Sequence, residues 1–265
     1  MQLKILGARQ GESRYSHFSS LIIDNKLVLD AGGLTSTLSL EEQANIHAVL
    51  LTHQHLDHIK DLAALGFNLS GRSQVTICCT YETRAAIEAT ILNEQIWLNF
   101  FQRPKQDAPT FVHCPVQPGQ SFSLGGYRIL PVSVNHTVQA VAYEVMAPSG
   151  ARLLYTGDNG PGSANSWATP APDLLITEVS YPDAMANLAA QYGHLSACLL
   201  AEELKVYRNR CGFLPPVLVV HSNPYHETQI AAEVAALASE LVADIKMAQE
   251  GSYAIVDPKP HSDRF

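Results

Sequence analysis

Ten short apolar runs punctuate the 265-residue chain, among them LKILG, SSLIID, KLVLDAGG, HAVLLT, VTICC, YRILPVSV, AVAYEV, ARLLYTGD, DLLITEVSY and PVLVVHSNP. They are bounded by turn signals and many are rich in β-branched residues, which is the pattern of strands. Between them apolar residues recur at helical spacing: Ile87, Ile91 and Leu98, then Leu200, Leu204 and Tyr207, then Ile230, Val234, Leu237 and Leu241. Strands that begin as a meander and later alternate with helices imply two packed sheets with helices on their outer faces, an α/β layered fold. No linker, low-complexity tract or short repeat interrupts the pattern, so residues 1–265 read as one domain.

Composition narrows the partners. The formal net charge of -8 disfavours nucleic acid, whose binding domains carry clustered Lys and Arg, and favours a small molecule. The five cysteines are odd in number and lack paired metal-type spacing, so they read as buried reduced thiols in a reducing compartment. The opening MQLKILG is too soon interrupted for a signal peptide, and no apolar run approaches the ~20 residues that span a bilayer. The expectation is a cytoplasmic protein that does not engage membranes.

The stretch THQHLDH, residues 52–58, places three histidines and an aspartate directly after the apolar run HAVLLT. Loops at the ends of a rigid sheet are where ligands are held in position. His53 and His55, at i and i+2 of an extended stretch, point to one side and can converge on one metal. Asp57 and His58, entering a helix, can face a second. Neutral imidazole and carboxylate are donors for zinc, iron or manganese. Further single candidates end later runs: His136 after LPVSVN, Asp158 after RLLYTG, and His221 after PVLVV. Each alone reads more simply as a capping or surface residue.

Together they resemble the metallo-β-lactamase fold superfamily, in the order His53-x-His55-x-Asp57-His58, His136, Asp158, His221. The resemblance spans nearly the whole chain and implies an αββα sandwich with two divalent metal ions at one edge, zinc first, manganese or iron next. It implies that His53, His55 and His136 hold one ion, Asp57, His58 and His221 the other, and that Asp158 bridges them. Fold alone leaves the reaction open. The segment ITEVSYPDAMANLAAQYGHLSA is similar to that of class II cyclic nucleotide phosphodiesterases, which carry E-x-SYP, then GHL, then a helix; tRNase Z has a comparable Glu and His pair. One departure is HSNPYHE, with Asn223 where that class is expected to carry a lysine.

Phosphoryl transfer has a use for the added pair. A metal pair clamps the diester and activates water, and His194, protonated and oriented by Glu178, can protonate the departing oxygen or stabilise phosphoryl charge. His194 stands before a helix beginning near Ser196, whose free N–H groups would face an anion. The catalytic residues on this reading are Asp57, Glu178 and His194. Asp30, closing LVLD, is similar to an Asp of the superfamily that braces the metal loop through hydrogen bonds, so the resemblance implies a supporting role and not a ligand. Trp97, Phe100 and Phe101 read as core ahead of a base-stacking lid or a homodimer contact. His17, His47, His113, His226 and His261 read as structural, with His226 nearest the pocket.

The expected function is hydrolysis of a small cyclic phosphodiester, a 3′,5′-cyclic nucleotide first, to the 5′-nucleotide. Alternatives are a tRNase Z-like ribonuclease, a lactonase, thioesterase or sulfatase, and a metal-binding scaffold without catalysis.

Overall fold

The computed structural model describes residues 1–167 and 170–258. In chain order the strands are β1 (Gln2–Gly7), β2 (Ser20–Ile23), β3 (Leu27–Leu29), β4 (Ala48–Leu50), β5 (Val75–Cys79), the small hairpin β6 (Pro104–Lys105) and β7 (Ala108–Pro109), and β8 (Phe111–Pro115). They continue as β9 (Phe122–Leu124), β10 (Tyr127–Val134), β11 (Ala140–Met146), β12 (Arg152–Tyr155), β13 (Leu174–Glu178), β14 (Val217–Val220), β15 (Ile245–Met247) and β16 (Tyr253–Ile255). The helices are α1 (Leu40–Ala44), α2 (Leu56–Ile59), α3 (Leu62–Leu69), α4 (Tyr81–Thr90), α5 (Ala186–Gln191), α6 (Ala197–Cys211) and α7 (Glu227–Leu241).

Two seven-stranded sheets carry the fold, ordered β16-β1-β2-β3-β4-β5-β8 and β15-β14-β13-β12-β11-β10-β9. Both are mixed: β3-β4-β5-β8 and β12-β13-β14-β15 pair in parallel, the rest antiparallel. The apolar runs are continuous because both faces of each sheet are covered. In β3, Leu27 and Leu29 face the other sheet while Val28 faces the helices; in β12, Leu153 and Tyr155 face inward while Leu154 faces α6 and α7. The core therefore forms three layers: one between the sheets, one where Leu62, Leu65 and Ile87 pack on the first, and one where Leu200, Leu204, Ile230 and Val234 pack on the second. This is the helix-covered double sheet expected from the sequence.

Helix α6 ends on Gly212 in the left-handed region, with Arg208 and Arg210 in its last turn. Helix α4 starts on Thr80, whose hydroxyl accepts from the Thr83 N–H. It stops at Thr90, so the helical spacing read through Leu98 overran it by a turn and more. Within residues 91–98 the Asn93 side chain accepts from the N–H groups of Gln95 and Ile96, offering the backbone an alternative to helical bonds. The aromatic group divides accordingly. Phe100 and Phe101 are core, edge-on to Phe111, whereas Trp97 is 41% exposed and donates its indole N–H to the Ala63 carbonyl. All five cysteines are unpaired, but only Cys78 and Cys79 are buried; Cys198 is exposed, so the expectation of uniformly buried thiols fails.

Strands β10, β12, β13 and β14 run in one direction, because β10 and β12 each pair antiparallel with β11 and the rest are parallel. Their carboxyl ends share one edge, where open α/β sheets place ligands. The end of β4 meets that edge: the Val141 N–H donates to the Thr52 carbonyl, and the buried Tyr143 hydroxyl donates to the Leu51 carbonyl. Among the described residues no helix is long and apolar enough to cross a membrane.

Candidate metal centre

At this shared edge the structure brings together all seven sequence-predicted donors. They fall into two groups with Asp158 common to both: His53, His55, His136 and Asp158, and Asp57, His58, His221 and Asp158. The two oxygens of Asp158 point different ways. Oδ2 lies 3.6 Å from His53 Nε2 and 3.9 Å from His136 Nε2, while Oδ1 lies 3.1 Å from His58 Nε2 and 3.4 Å from His221 Nε2. Asp57 Oδ2 completes the second group at 3.0 Å from His221 Nε2, and His55 Nδ1 completes the first at 3.1 Å from His136 Nε2.

Each element presents its donor for a local reason. Helix α2 begins after His55, so Asp57 and His58 sit in its single turn while His53 and His55 remain on extended chain. His221 leaves β14 with a positive φ of 59°, a conformation that histidine adopts more readily than bulkier residues and that turns its ring out of the sheet. Gly193 also has positive φ (70°), and a Cβ there would lie 2.9 Å from the His136 ring, so only glycine allows that approach.

The outer ring nitrogens are tied down, which leaves the inner ones aimed at the cluster. His58 Nδ1 is 2.7 Å from Asp30 Oδ2, His136 Nδ1 is 2.8 Å from the Gly193 carbonyl, His53 Nδ1 is 3.0 Å from the Thr52 hydroxyl and His221 Nδ1 is 2.7 Å from Ser180 Oγ. Such partners fix the orientation of metal-binding imidazoles. Asp30, wholly buried, also accepts from the Thr52 N–H and hydroxyl and from the Tyr155 hydroxyl. It is the brace that the sequence assigned to it.

These residues fit divalent cations. His53 Nε2, His58 Nε2 and Asp158 Oδ1 are buried without a hydrogen-bond partner, a loss of ~1–3 kcal/mol each unless a ligand satisfies them. Donors around a tetrahedral zinc with ~2.0 Å bonds stand about 3.3 Å apart; the pairs given above are 3.0 to 3.9 Å apart, and all donors of a group lie within 4.8 Å of one another. Burial, reinforced by neighbouring imidazoles, pushes His53 well down and lowers His55 and His136, keeping them neutral as ligation requires. His58 behaves oppositely. Burial disfavours its charge, but Asp158, Asp30 and Asp57 together lift it well above the ordinary imidazole range. Burial also opposes ionisation of Asp57, yet His58 and His221 hold it down at about 2. No Lys or Arg pairs with Asp30, Asp57, Asp158 or Glu178 among the described residues.

Glu178 and His194 flank the cluster. His194 Nδ1 is 2.9 Å from Glu178 Oε1 and 4.0 Å from Asp158 Oδ2, and its ring stacks on His221 at 5.4 Å with 22° between planes. Burial lowers the His194 pKa, but the Glu178 carboxylate, with Asp158 and Asp57, outweighs it and raises the value to about 9. Glu178 is wholly buried and also accepts from the Asn159 and Leu195 N–H groups and the Ser180 hydroxyl. Ser180 thus joins Glu178 to His221. Ser180 is the serine of the SYP motif. Of the N–H groups at the start of α6, that of Cys198 donates to Asp183 and is not free for an anion. His226 closes a turn after Pro224 and makes no side-chain contact with the donors, while His17 bonds Glu250 and His113 bonds the Cys79 carbonyl. His261 lies outside the described residues.

The "Beta-lactamase superfamily domain" family matches residues 28–211, which include six of the seven donors, Glu178 and His194. Ribonuclease Z of Methanopyrus kandleri is 28% identical over 129 residues, covering 46% of this chain and 40% of that protein, so the match spans well under half of that relative's length. Among solved structures, yeast PDE1 superposes with a TM-score of 0.75 at 18% identity over 95% of this chain and 98% of that one. YhfI of Bacillus subtilis gives 0.72 at 17% identity over 96% and 99%. The family match and the double-sheet fold with donors at one edge agree: the chain belongs to the metallo-β-lactamase superfamily of metallo-hydrolases.

Proposed function

We propose that this protein is a phosphodiesterase with two divalent cations, zinc first, that opens a 3′,5′-cyclic nucleotide to the 5′-nucleotide. The observation that carries the reading is the Glu178–His194 pair beside the shared Asp158 carboxylate. Thioester hydrolysis releases a thiolate that can depart without a proton, whereas a diester releases an alkoxide that must be protonated.

Cations held by His53, His55 and His136, and by Asp57, His58 and His221, with Asp158 between, would supply Lewis acidity and a water whose pKa approaches ~7. The chain's own residues do the rest. Glu178 holds His194 by Nδ1, so the proton available to substrate is the one on Nε2. Ionised Glu178 keeps that imidazole charged at neutral pH, and charge on a non-bridging phosphoryl oxygen is stabilised by the same cation. The Asn159 and Leu195 N–H groups and the Ser180 hydroxyl hold the Glu178 carboxylate in place. Attack opposite the 3′ oxygen, with His194 protonating it, yields the 5′-nucleotide.

Product analysis with metal-loaded protein on cyclic AMP, cyclic GMP and a cyclic phosphate sugar tests this. The expected product is the 5′-nucleotide. Release of the 3′-nucleotide refutes the leaving-group assignment, and a preference above tenfold for the sugar diester moves the function to another small-diester phosphodiesterase. The sequence match to Ribonuclease Z favours a second reading, cleavage of precursor tRNA. The same preparation incubated with precursor tRNA separates the two.

A further inference from the structure

Beside the metal centre lies a cavity of about 400 Å³ lined by the loop after β1, including Gln10, Gly11 and Ser13, and by Tyr181, Asn223 and Tyr225. Its walls are fastened to the catalytic segment. The Gln10 N–H donates to the Ser222 carbonyl, the Asn223 N–H to the Ser180 carbonyl, and the Tyr181 ring stands 5.9 Å from that of His194. A group attached to a phosphate on the His194 side would have this cavity beside it. The volume falls within the ~300–1,000 Å³ of small-molecule sites.

The lining has a particular chemistry. Tyr225 is 95% exposed, a large ring with nothing upon it. Asn223 Oδ1 is used, capping its turn by accepting from the Tyr225 N–H, but its amide nitrogen has no partner among the described residues, and neither does the side-chain amide of Gln10. Ser13 and Ser16 bond one another, and Glu12 is paired with Lys60, so the two amides are the groups left to recognise a ligand. An aromatic face beside two planar amides suits a flat heteroaromatic ring with donors and acceptors along its edge. No Lys or Arg is among the residues that line the cavity.

We propose that this cavity is the nucleobase subsite, with the Tyr225 ring covering the base and the Gln10 and Asn223 amides reading its edge. The inference rests on the phosphodiesterase reading for the chemistry but not for the binding. It makes Gln10, Asn223 and Tyr225 specificity-determining residues and leaves the metal donors untouched.

The test uses Tyr225→Ala, Gln10→Glu and Asn223→Asp, the last keeping the capping oxygen while removing the amide donor. Equilibrium binding of adenosine and guanosine, which carry no phosphate, is measured beside ribose, and turnover is measured on a cyclic nucleotide beside 1-O-methylribose 3′,5′-cyclic phosphate, which has no base. We expect saturable nucleoside binding that weakens about tenfold in Tyr225→Ala and in at least one amide variant. On the cyclic nucleotide the loss is expected in KM, with the base-free diester unchanged. Nucleoside binding that is absent, or equal in all three variants, overturns the subsite. Equal losses on both diesters overturn it too, because they report damage to the metal centre. A wild-type protein that binds nucleosides in this variant-sensitive way yet cleaves no cyclic nucleotide leaves the subsite standing and removes the phosphodiesterase reading.

Discussion

The two sides of the Asp158 carboxylate are built differently. On the Oδ1 side, His58 rests on buried Asp30 and His221 on the Ser180–Glu178 relay, so each imidazole is backed by a carboxylate directly or through one hydroxyl. On the Oδ2 side no imidazole meets a carboxylate directly from behind: His53 reaches Asp30 only through the Thr52 hydroxyl, and His136 is backed by the Gly193 carbonyl. Carboxylate backing raises imidazole basicity and rigidity. The Oδ1 side should therefore grip its cation more firmly, and the Oδ2 side should exchange first. The relay also ties the Oδ1 side to catalysis, because one carboxylate, Glu178, serves both His221 and His194.

Removing the shared group should erase the asymmetry. Asp158→Ala is expected to abolish turnover and loosen both cations, measured by activity and by elemental analysis after dialysis. His194→Ala should retain metal and lose ~10²–10⁴ in rate, since a proton donor serves the transition state. If that variant strips metal instead, His194 is a ligand and its assigned role is wrong. Asp30→Asn, which removes the carboxylate that His58 meets directly and His53 only through Thr52, should weaken the Oδ1-side cation ~10–100-fold and the other by less. Competition with a chelator reads the two separately, and equal weakening breaks the comparison.

A smaller effect concerns pH. His194 is protonated below its raised pKa of about 9, so its contribution as an acid is present at neutral pH and fades as pH rises through that range. Bound cations oppose the shift. Glu178→Gln removes the main charge supporting protonation, and the alkaline limb of kcat should move towards lower pH. A limb that stays in place assigns it to another group.

Legibility does not follow the two sides, since each has two donors in one dense stretch and one lone donor elsewhere. Four donors crowd into residues 53–58, and a cluster that dense shows in the sequence without any knowledge of the fold. His136, Asp158 and His221 are single residues at strand ends, unremarkable alone, and only the family pattern gathered them. What gathers them physically is the common direction of β10, β12 and β14, a property of sheet pairing. The apolar runs were readable because both faces of each sheet are buried, whereas β9, β15 and β16 are three-residue strands whose partly exposed patterns carry little signal. Ser180, Gly193 and Asn159 stayed hidden for a further reason. They act through a hydroxyl relay, a carbonyl and an N–H, and backbone groups leave no signature in residue type.

The central claim is that one carboxylate joins two cation sites, and metal stoichiometry reaches it most directly. Elemental analysis of protein purified gently without chelator, then of the same protein supplied with zinc or manganese and desalted, should approach two ions per chain. A value that stays at or below one after metal is supplied contradicts the account.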